Sequence, residues 1–292
     1  MKAEQISALG TFDYIGPLND RKRPCASRGD LVVRIRAAGT HLFDDRPGDE
    51  GPVRARRYAL PPALRGGIAG TVEAVARGVA GFVPGDEVFG ITMPHAVRAG
   101  AEVAVVNASK VARKPRRLTC EAAAAIPVIG VLAWQMLFRH ARLNNGETVV
   151  VLGAESIIGA FVVQLARSYG LWTVALCSPK HHRALRALGA DRVIDASPGL
   201  LEQECMRAGA VIDAMGGMLQ RRALAGLTSG SALVSCVSRP DDSIIVGTSV
   251  KCGFALAEVS TRDLEQLAWL VDAGLVTTNL ETLLWPQGTA SA

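Results

Sequence analysis

Aromatic side chains, paired cysteines and long apolar runs are all scarce in this sequence. Aromatics are 5% of the 292 residues and charged residues 20%. The longest apolar run, Ala122 to Trp134, is broken by Pro127 and Gly130. A membrane-spanning helix needs about 20 apolar residues in succession, so a transmembrane helix is excluded. The six cysteines (25, 120, 177, 205, 236 and 252) lie at least 16 positions apart, with no C-x-x-C pair. That spacing argues against a structural zinc site and against a disulfide framework. The opening residues, MKAEQISALG, contain no apolar stretch of the kind a secretory leader requires. These absences predict a reduced, soluble, cytoplasmic protein. What is plentiful is apolar content, 49% of residues, and glycine, 30 of them. Such a chain is too apolar to be disordered and long enough for a real core and about two domains.

Charge is unevenly spread. Residues 1–120 hold 19 Lys and Arg against 12 Asp and Glu, while residues 121–292 hold 13 against 15. Basic clusters occur at Arg21-Lys22-Arg23, Arg54 to Arg57 and Arg113 to Arg117. No aromatics interleave with them and they fall between strand-like segments, so they read as solvated faces, with no nucleic-acid partner expected.

Two textures follow one another along the chain. Leu31 to Arg36, Gly66 to Val75, Val79 to Gly90 with its Pro-Gly-Asp turn, and Val103 to Val106 are short β segments with regular turn signals, as in a barrel-like unit. Near residue 120 this gives way to an Ala-rich, helix-prone stretch over Cys120 to Arg139. From Thr148 onward strands alternate with helices. Thr148–Leu152 is a continuous apolar run suited to a parallel strand covered on both faces. A helix over Ala160–Tyr169 follows, then a strand at Trp172–Leu176, a helix at His182–Leu188, and strands at Arg192–Asp195, Val211–Asp213 and Ala232–Ser235. This alternation predicts βαβ units in a doubly wound parallel sheet.

After the first of those strands comes Gly153-Ala154-Glu155-Ser156-Ile157-Ile158-Gly159. A dinucleotide site needs small residues here, so that backbone N–H groups and a helix N-terminus reach the pyrophosphate. The G-x-G-x-x-G pattern is present only as Ala154-x-Ser156-x-x-Gly159, and Glu155 adds a negative charge. A Rossmann-like loop that has lost its ligand is therefore a competing reading. At the end of the second strand, Cys177 to Arg183, no acid is available for a ribose 2′-hydroxyl. Ser178, Lys180 and Arg183 instead suit a 2′-phosphate, which predicts NADPH.

The order of motifs resembles the medium-chain dehydrogenase/reductase superfamily, in particular its zinc-free quinone oxidoreductase and enoyl reductase branch. The resemblance is carried by Ala37-Ala38-Gly39, Gly81 to Gly90, Ala101-Glu102-Val103, Glu121 to Pro127 with Ala133-Trp134-Gln135, Phe161 to Ala166, Leu188 to Asp191, Val193-Ile194-Asp195 and Asp213 to Gly217. It implies an α/β protein: a GroES-like β-barrel domain over residues 1–118, a Rossmann cofactor domain over 119–258, and a C-terminal segment, 259–292, returning toward the barrel. It also implies a cleft between the domains, a small-molecule substrate, a homodimer, and hydride transfer from NADPH to a quinone, enone or enoyl thioester.

The departures from the family pattern bear on mechanism. Zinc-dependent relatives place Cys at position 41 and a His-Glu pair at 66–67, where this chain has His41, Gly66 and Gly67. Three protein ligands are needed for catalytic zinc, so no metal is expected. His41 stands where the zinc-free branch usually has Asn, and is a candidate to orient substrate or protonate a developing enolate. The family's Thr is Leu132 here. The segment after Leu283-Leu284-Trp285-Pro286 is short relative to the family, which predicts an open barrel edge. A redox-neutral cyclase, dehydratase or isomerase using the old cleft, or a silent binding protein, are the alternatives those departures favour.

Overall fold

The computed structural model describes residues 5–6, 15–16, 26–39, 67–92, 102–197, 199–241, 244, 249–278 and 280. They fall into two units. One holds the described residues up to Val131 together with Glu258–Asp272; the other holds Leu132–Ala257 and the described residues from Ala273 on.

The first unit contains a two-residue antiparallel pair, β1 (Gln5–Ile6) with β2 (Ile15–Gly16). Its main sheet is antiparallel and built from β3 (Asp30–Gly39), β4 (Gly67–Val75), β5 (Glu87–Ile91), β6 (Val103–Asn107) and β7 (Val111–Arg113), in the order β6-β3-β4-β5-β7. Side chains alternate along a strand, so Leu31 and Val33 of β3 turn inward to meet Ile68, Val72, Val88, Ala104, Val106 and Val111. Gly67 has no room for a side chain: a Cβ there would lie 2.1 Å from the Ala124 carbonyl oxygen. The neighbour is α1 (Cys120–Ala125), whose first turn is capped by Thr119 Oγ1, accepting from Ala122 N–H at 3.3 Å. That helix therefore packs with the antiparallel sheet, which is why the unit extends past residue 118. Pro127 then opens α2 (Pro127–Trp134), a position where its missing N–H is not needed. The amphipathic α7 (Thr261–Asp272) buries Leu264, Leu267, Leu270 and Val271 and returns to this unit. It is held there by Lys110 Nζ donating to Val259 O and Thr261 Oγ1 donating to Ala108 O.

The second unit is a six-stranded, all-parallel sheet in the order β10-β9-β8-β11-β12-β13. Its strands are β8 (Thr148–Leu152), β9 (Trp172–Leu176), β10 (Arg192–Ile194), β11 (Ala210–Asp213), β12 (Ala232–Ser235) and β13 (Lys251–Phe254). Between them run α3 (Ile157–Ser168), α4 (His182–Leu188), α5 (Leu200–Cys205) and α6 (Gly217–Gly226). This is the doubly wound order, reversing between β8 and β11. The central strands carry apolar side chains on both faces, and Val150, Leu152, Val174, Val211 and Leu233 share one core. Gln164 of α3 is buried and pins the chain near Thr277 by two bonds, accepting from Thr277 N–H at 2.7 Å and donating to its carbonyl at 3.2 Å. The sequence analysis did not anticipate β13, whose Lys-Cys-Gly-Phe has no apolar run because it is a half-exposed edge strand.

Candidate functional site

The candidate site lies at the carboxyl edge of the parallel sheet. There the strand order reverses, and open α/β sheets bind ligands in that crevice. The loop from Gly153 leaves the end of β8. Gly153 adopts φ +69°, and a Cβ on it would approach Ala214 O and Met215 Cβ at 3.3 Å. Ala154 is fully buried and donates its N–H to Leu176 O at the end of β9. Gly159 is sterically obligatory, since a Cβ would fall 2.3 Å from Gly153 O and 2.7 Å from Ala154 Cα. It lets α3 lie directly on the strand that precedes it.

Helix α3 starts at Ile157, earlier than the expected Ala160, because Ser156 caps it. Ser156 has φ −71° and ψ 158°, and its Oγ accepts from Gly159 N–H at 3.0 Å. An extended backbone of this kind suits any L-residue, so serine replaces the family glycine there without strain. Ile157 and Ile158 form the first turn, Ile158 buried and Ile157 half-buried. Their N–H groups point out of the helix start with no intrahelical acceptor. A dinucleotide's pyrophosphate fits such a cradle: small or capped residues, free N–H donors and the positive end of the helix.

Glu155 behaves unlike the rest of the loop. Its Oε1 accepts from Ser178 N–H at 3.3 Å, across to the end of β9, while its Oε2 is buried without any partner. Next to it the Cys177 thiol is pushed up to about 12, first by burial and then by the Glu155 charge. Lys180 and Arg183 project from the same turn and are exposed, with no ion pair among the described residues. The structure thus joins Gly153–Gly159 to Ser178 through Glu155, and leaves the two cations in solvent. Position 41 lies outside the described residues, as does Gly66.

A second feature escaped the sequence analysis, although the motif around it did not. Asp213, fully buried at the end of β11, accepts from Met215 N–H (3.0 Å), Gly216 N–H (2.7 Å), Gln220 Nε2 (2.7 Å) and Ser235 Oγ (2.7 Å). This network fixes the loop that faces Gly153 across the reversal point, with Gly216 and Gly217 at φ +74° and +64°. A buried carboxylate fully supplied with donors is a structural device, not an acid poised for chemistry.

Comparison with known proteins agrees with this geometry. No family model matches the chain. The NAD(P)H oxidoreductase RTN4IP1, mitochondrial, of Bos taurus is 31% identical over 230 residues, which are 72% of this chain and 58% of that protein. The spectinabilin polyketide synthase system protein NorB of Streptomyces orinoci is 35% identical over 77% of this chain and 10% of its own length. A crystal structure of an alcohol dehydrogenase superfamily protein from Novosphingobium aromaticivorans superposes with a TM-score of 0.75 at 26% identity, covering 89% of this chain and 84% of that one. The chain belongs to the medium-chain dehydrogenase/reductase superfamily. It spans less than two thirds of the bovine relative's length.

Two features are absent among the described residues, a metal-holding cluster and a membrane-crossing helix. None of these residues form a group of three or more His, Cys, Asp or Glu side chains arranged to hold a metal ion. Nor is any helix among them long and apolar enough to cross a membrane. Part of the Arg113–Arg117 cluster is already engaged: Arg113 binds Asp86 and Gly81 O, and Lys114 is buried against Leu118 O, Pro115 O and Glu87.

Proposed function

We propose that the chain is a zinc-independent reductase that takes hydride from a nicotinamide dinucleotide and delivers it to an activated C=C bond, in an enone or enoyl thioester, or to a quinone. The observation that carries this reading is the loop Gly153–Gly159. It leaves the Ile157 and Ile158 N–H groups without an intrahelical acceptor at the start of α3, at the carboxyl edge where the strand order reverses. The bovine relative's name, NAD(P)H oxidoreductase, supports the cofactor class.

When bound, the dinucleotide supplies the hydride. The chain's own residues would bind and orient it: the Ile157 and Ile158 N–H groups would hold the diphosphate, while Gly159 keeps the helix close and the Asp213 network holds the opposing loop in place. Preorganised donors of this kind cost no rearrangement at the moment of reaction. His41 enters the proposal as the acid that protonates the enolate formed when hydride reaches the β-carbon. A homodimer and a cytoplasmic location complete the reading; the cysteine spacing supports a reducing compartment, while the bovine relative is mitochondrial by name.

The test is titration of the full chain with NADH and NADPH by calorimetry, followed by nicotinamide oxidation against a panel of enones, quinones and a crotonyl thioester. Micromolar binding, about −8 kcal/mol, with turnover of at least one class is the expected result. Absence of binding at millimolar concentrations of both cofactors refutes it and leaves a redox-neutral or purely binding role. His41→Asn is expected to lower turnover without changing cofactor affinity.

A further inference from the structure

In dinucleotide folds the acid that reads the adenosine ribose stands at the end of the second strand, about 20 residues after the phosphate loop. Here the end of β9, Cys177 to Arg183, has none. The structure nevertheless puts a carboxylate at that spot, from an unusual source. Glu155 reaches from inside the phosphate loop to the Ser178 N–H at 3.3 Å, and its second oxygen is buried and unpartnered.

We propose that Glu155 is the ribose-reading residue of this site, with its free Oε2 accepting from the ribose hydroxyls, and that it selects a dinucleotide with a free 2′-hydroxyl over one carrying a 2′-phosphate. This rests on the nucleotide-binding reading given above. Among the described residues no donor reaches this buried carboxylate oxygen. Buried polar atoms are nearly always hydrogen-bonded, and a ribose hydroxyl is the donor that this position lacks. A 2′-phosphate has no proton to give and would bring two negative charges against a fixed third. It would also compete for the Ser178 N–H that Glu155 already holds. Lys180 and Arg183 attract it, but both are exposed, where solvent and salt screen them. The half-buried carboxylate, fixed by the Ser178 N–H, is screened less than those exposed cations, so it prevails. The expected cofactor is therefore NADH, against the NADPH that Ser178, Lys180 and Arg183 suggest from sequence alone.

Calorimetry on the full chain with NADH, NADPH, ADP-ribose and 2′-phospho-ADP-ribose tests this. The wild-type chain is expected to bind each unphosphorylated probe at least tenfold tighter than its 2′-phosphate, about 1.4 kcal/mol. Glu155→Gln keeps a carbonyl for Ser178 N–H and removes the charge. It should weaken NADH, tighten NADPH and bring their ratio within about threefold, with a melting temperature no lower than the wild type's. Lys180→Ala should leave the ratio within about threefold of wild type. Tighter binding of NADPH by the wild type, or an unchanged ratio in a folded Glu155→Gln, overturns the proposal while the nucleotide reading stands. Failure of all four probes overturns both. The wild-type ratio decides by itself if the variant does not fold.

Discussion

Replacing Asp213 by alanine removes two acceptor oxygens and strands four donors, and the cost can be worked out donor by donor. Gly216 N–H is buried and has no other partner, so it bears a penalty of about 2–3 kcal/mol for an unsatisfied buried group. Met215 N–H belongs to a side chain 43% exposed, lies near solvent and loses about 1 kcal/mol. Gln220 Nε2 retains Ser238 O at 3.1 Å and Ser238 Oγ at 3.2 Å, and Ser235 Oγ still accepts from Val237 and Ser238 N–H groups. Those two donors re-aim, for about 1 kcal/mol together. The total is about 4–5 kcal/mol, which in a unit of this size corresponds to a melting temperature lower by about 10 °C or more. Asp213→Asn keeps one acceptor oxygen for the loop N–H groups and forces the Gln220 amide and the Ser235 hydroxyl to turn, so it is expected to lose about half as much. Urea unfolding followed by circular dichroism measures both variants. A loss below about 1 kcal/mol for the alanine variant would refute the view that this carboxylate holds the loop through buried hydrogen bonds. Equal losses for alanine and asparagine would show that charge, not hydrogen-bond geometry, is what the site requires.

Three further outcomes are expected. Gly159→Ala should destabilise the parallel-sheet unit by at least about 2 kcal/mol and abolish nucleotide binding, because its Cβ meets backbone atoms at 2.3 and 2.7 Å; Gly130→Ala, whose Cβ meets only the Leu267 side chain, should be tolerated far better, and thermal melts compare the two. In the native protein Cys177, Cys205 and Cys236 should resist alkylation at pH 8, because burial raises each thiol to about 12, and site-resolved mass spectrometry should find them modified only after denaturation. The Glu202 carboxyl is held down at about 2, chiefly by hydrogen bonds from Arg222, which also grips Ala196 and Ser197 carbonyls. A depressed acid stabilises the fold above its unfolded value of 4.5 and ceases to do so as pH falls through about 2, so the stability gap between wild type and Arg222→Gln at neutral pH should close over that acid range.

The parts of the fold legible in the sequence were those set by local pattern. Thr148–Leu152 and Trp172–Leu176 are strands because their apolar runs are covered on both faces, and the sequence shows this directly. The start of α3 was misplaced because Ile157 and Ile158 look like loop until Ser156 is known to fold back on Gly159 N–H. Residues 120–131 read as part of the α/β half by composition, yet α1 packs against Gly67 of the antiparallel sheet. No local pattern carries that contact, which joins positions far apart in the chain. The same holds for the site. Asp213 was visible within a motif, but its four donors come from a loop, a helix and the neighbouring strand. Glu155 was visible only as a charge in an awkward place.

That awkward charge separates two accounts of the altered phosphate loop. In a loop kept only as scaffolding, each residue should have a packing reason. Gly153 has one in its positive φ and its neighbours at 3.3 Å, Gly159 in the helix–strand contact, Ala154 in its burial, and Ser156 in its cap. None of these four therefore says anything about a ligand, because the fold would need them in either case. Glu155 is different. Its single bond to Ser178 N–H is long, and its buried second oxygen lowers stability by about 1–3 kcal/mol relative to a satisfied one. A scaffold would gain stability from glutamine there, which keeps the acceptor for Ser178 N–H and buries no charge. Glu155→Gln should thus raise the melting temperature slightly or leave it unchanged while disturbing nucleotide affinity, the signature of a residue held for binding at the expense of stability. If the variant is instead clearly less stable and binds nucleotides as before, Glu155 belongs to the scaffold, and the loop offers a ligand only the N–H groups at the start of α3.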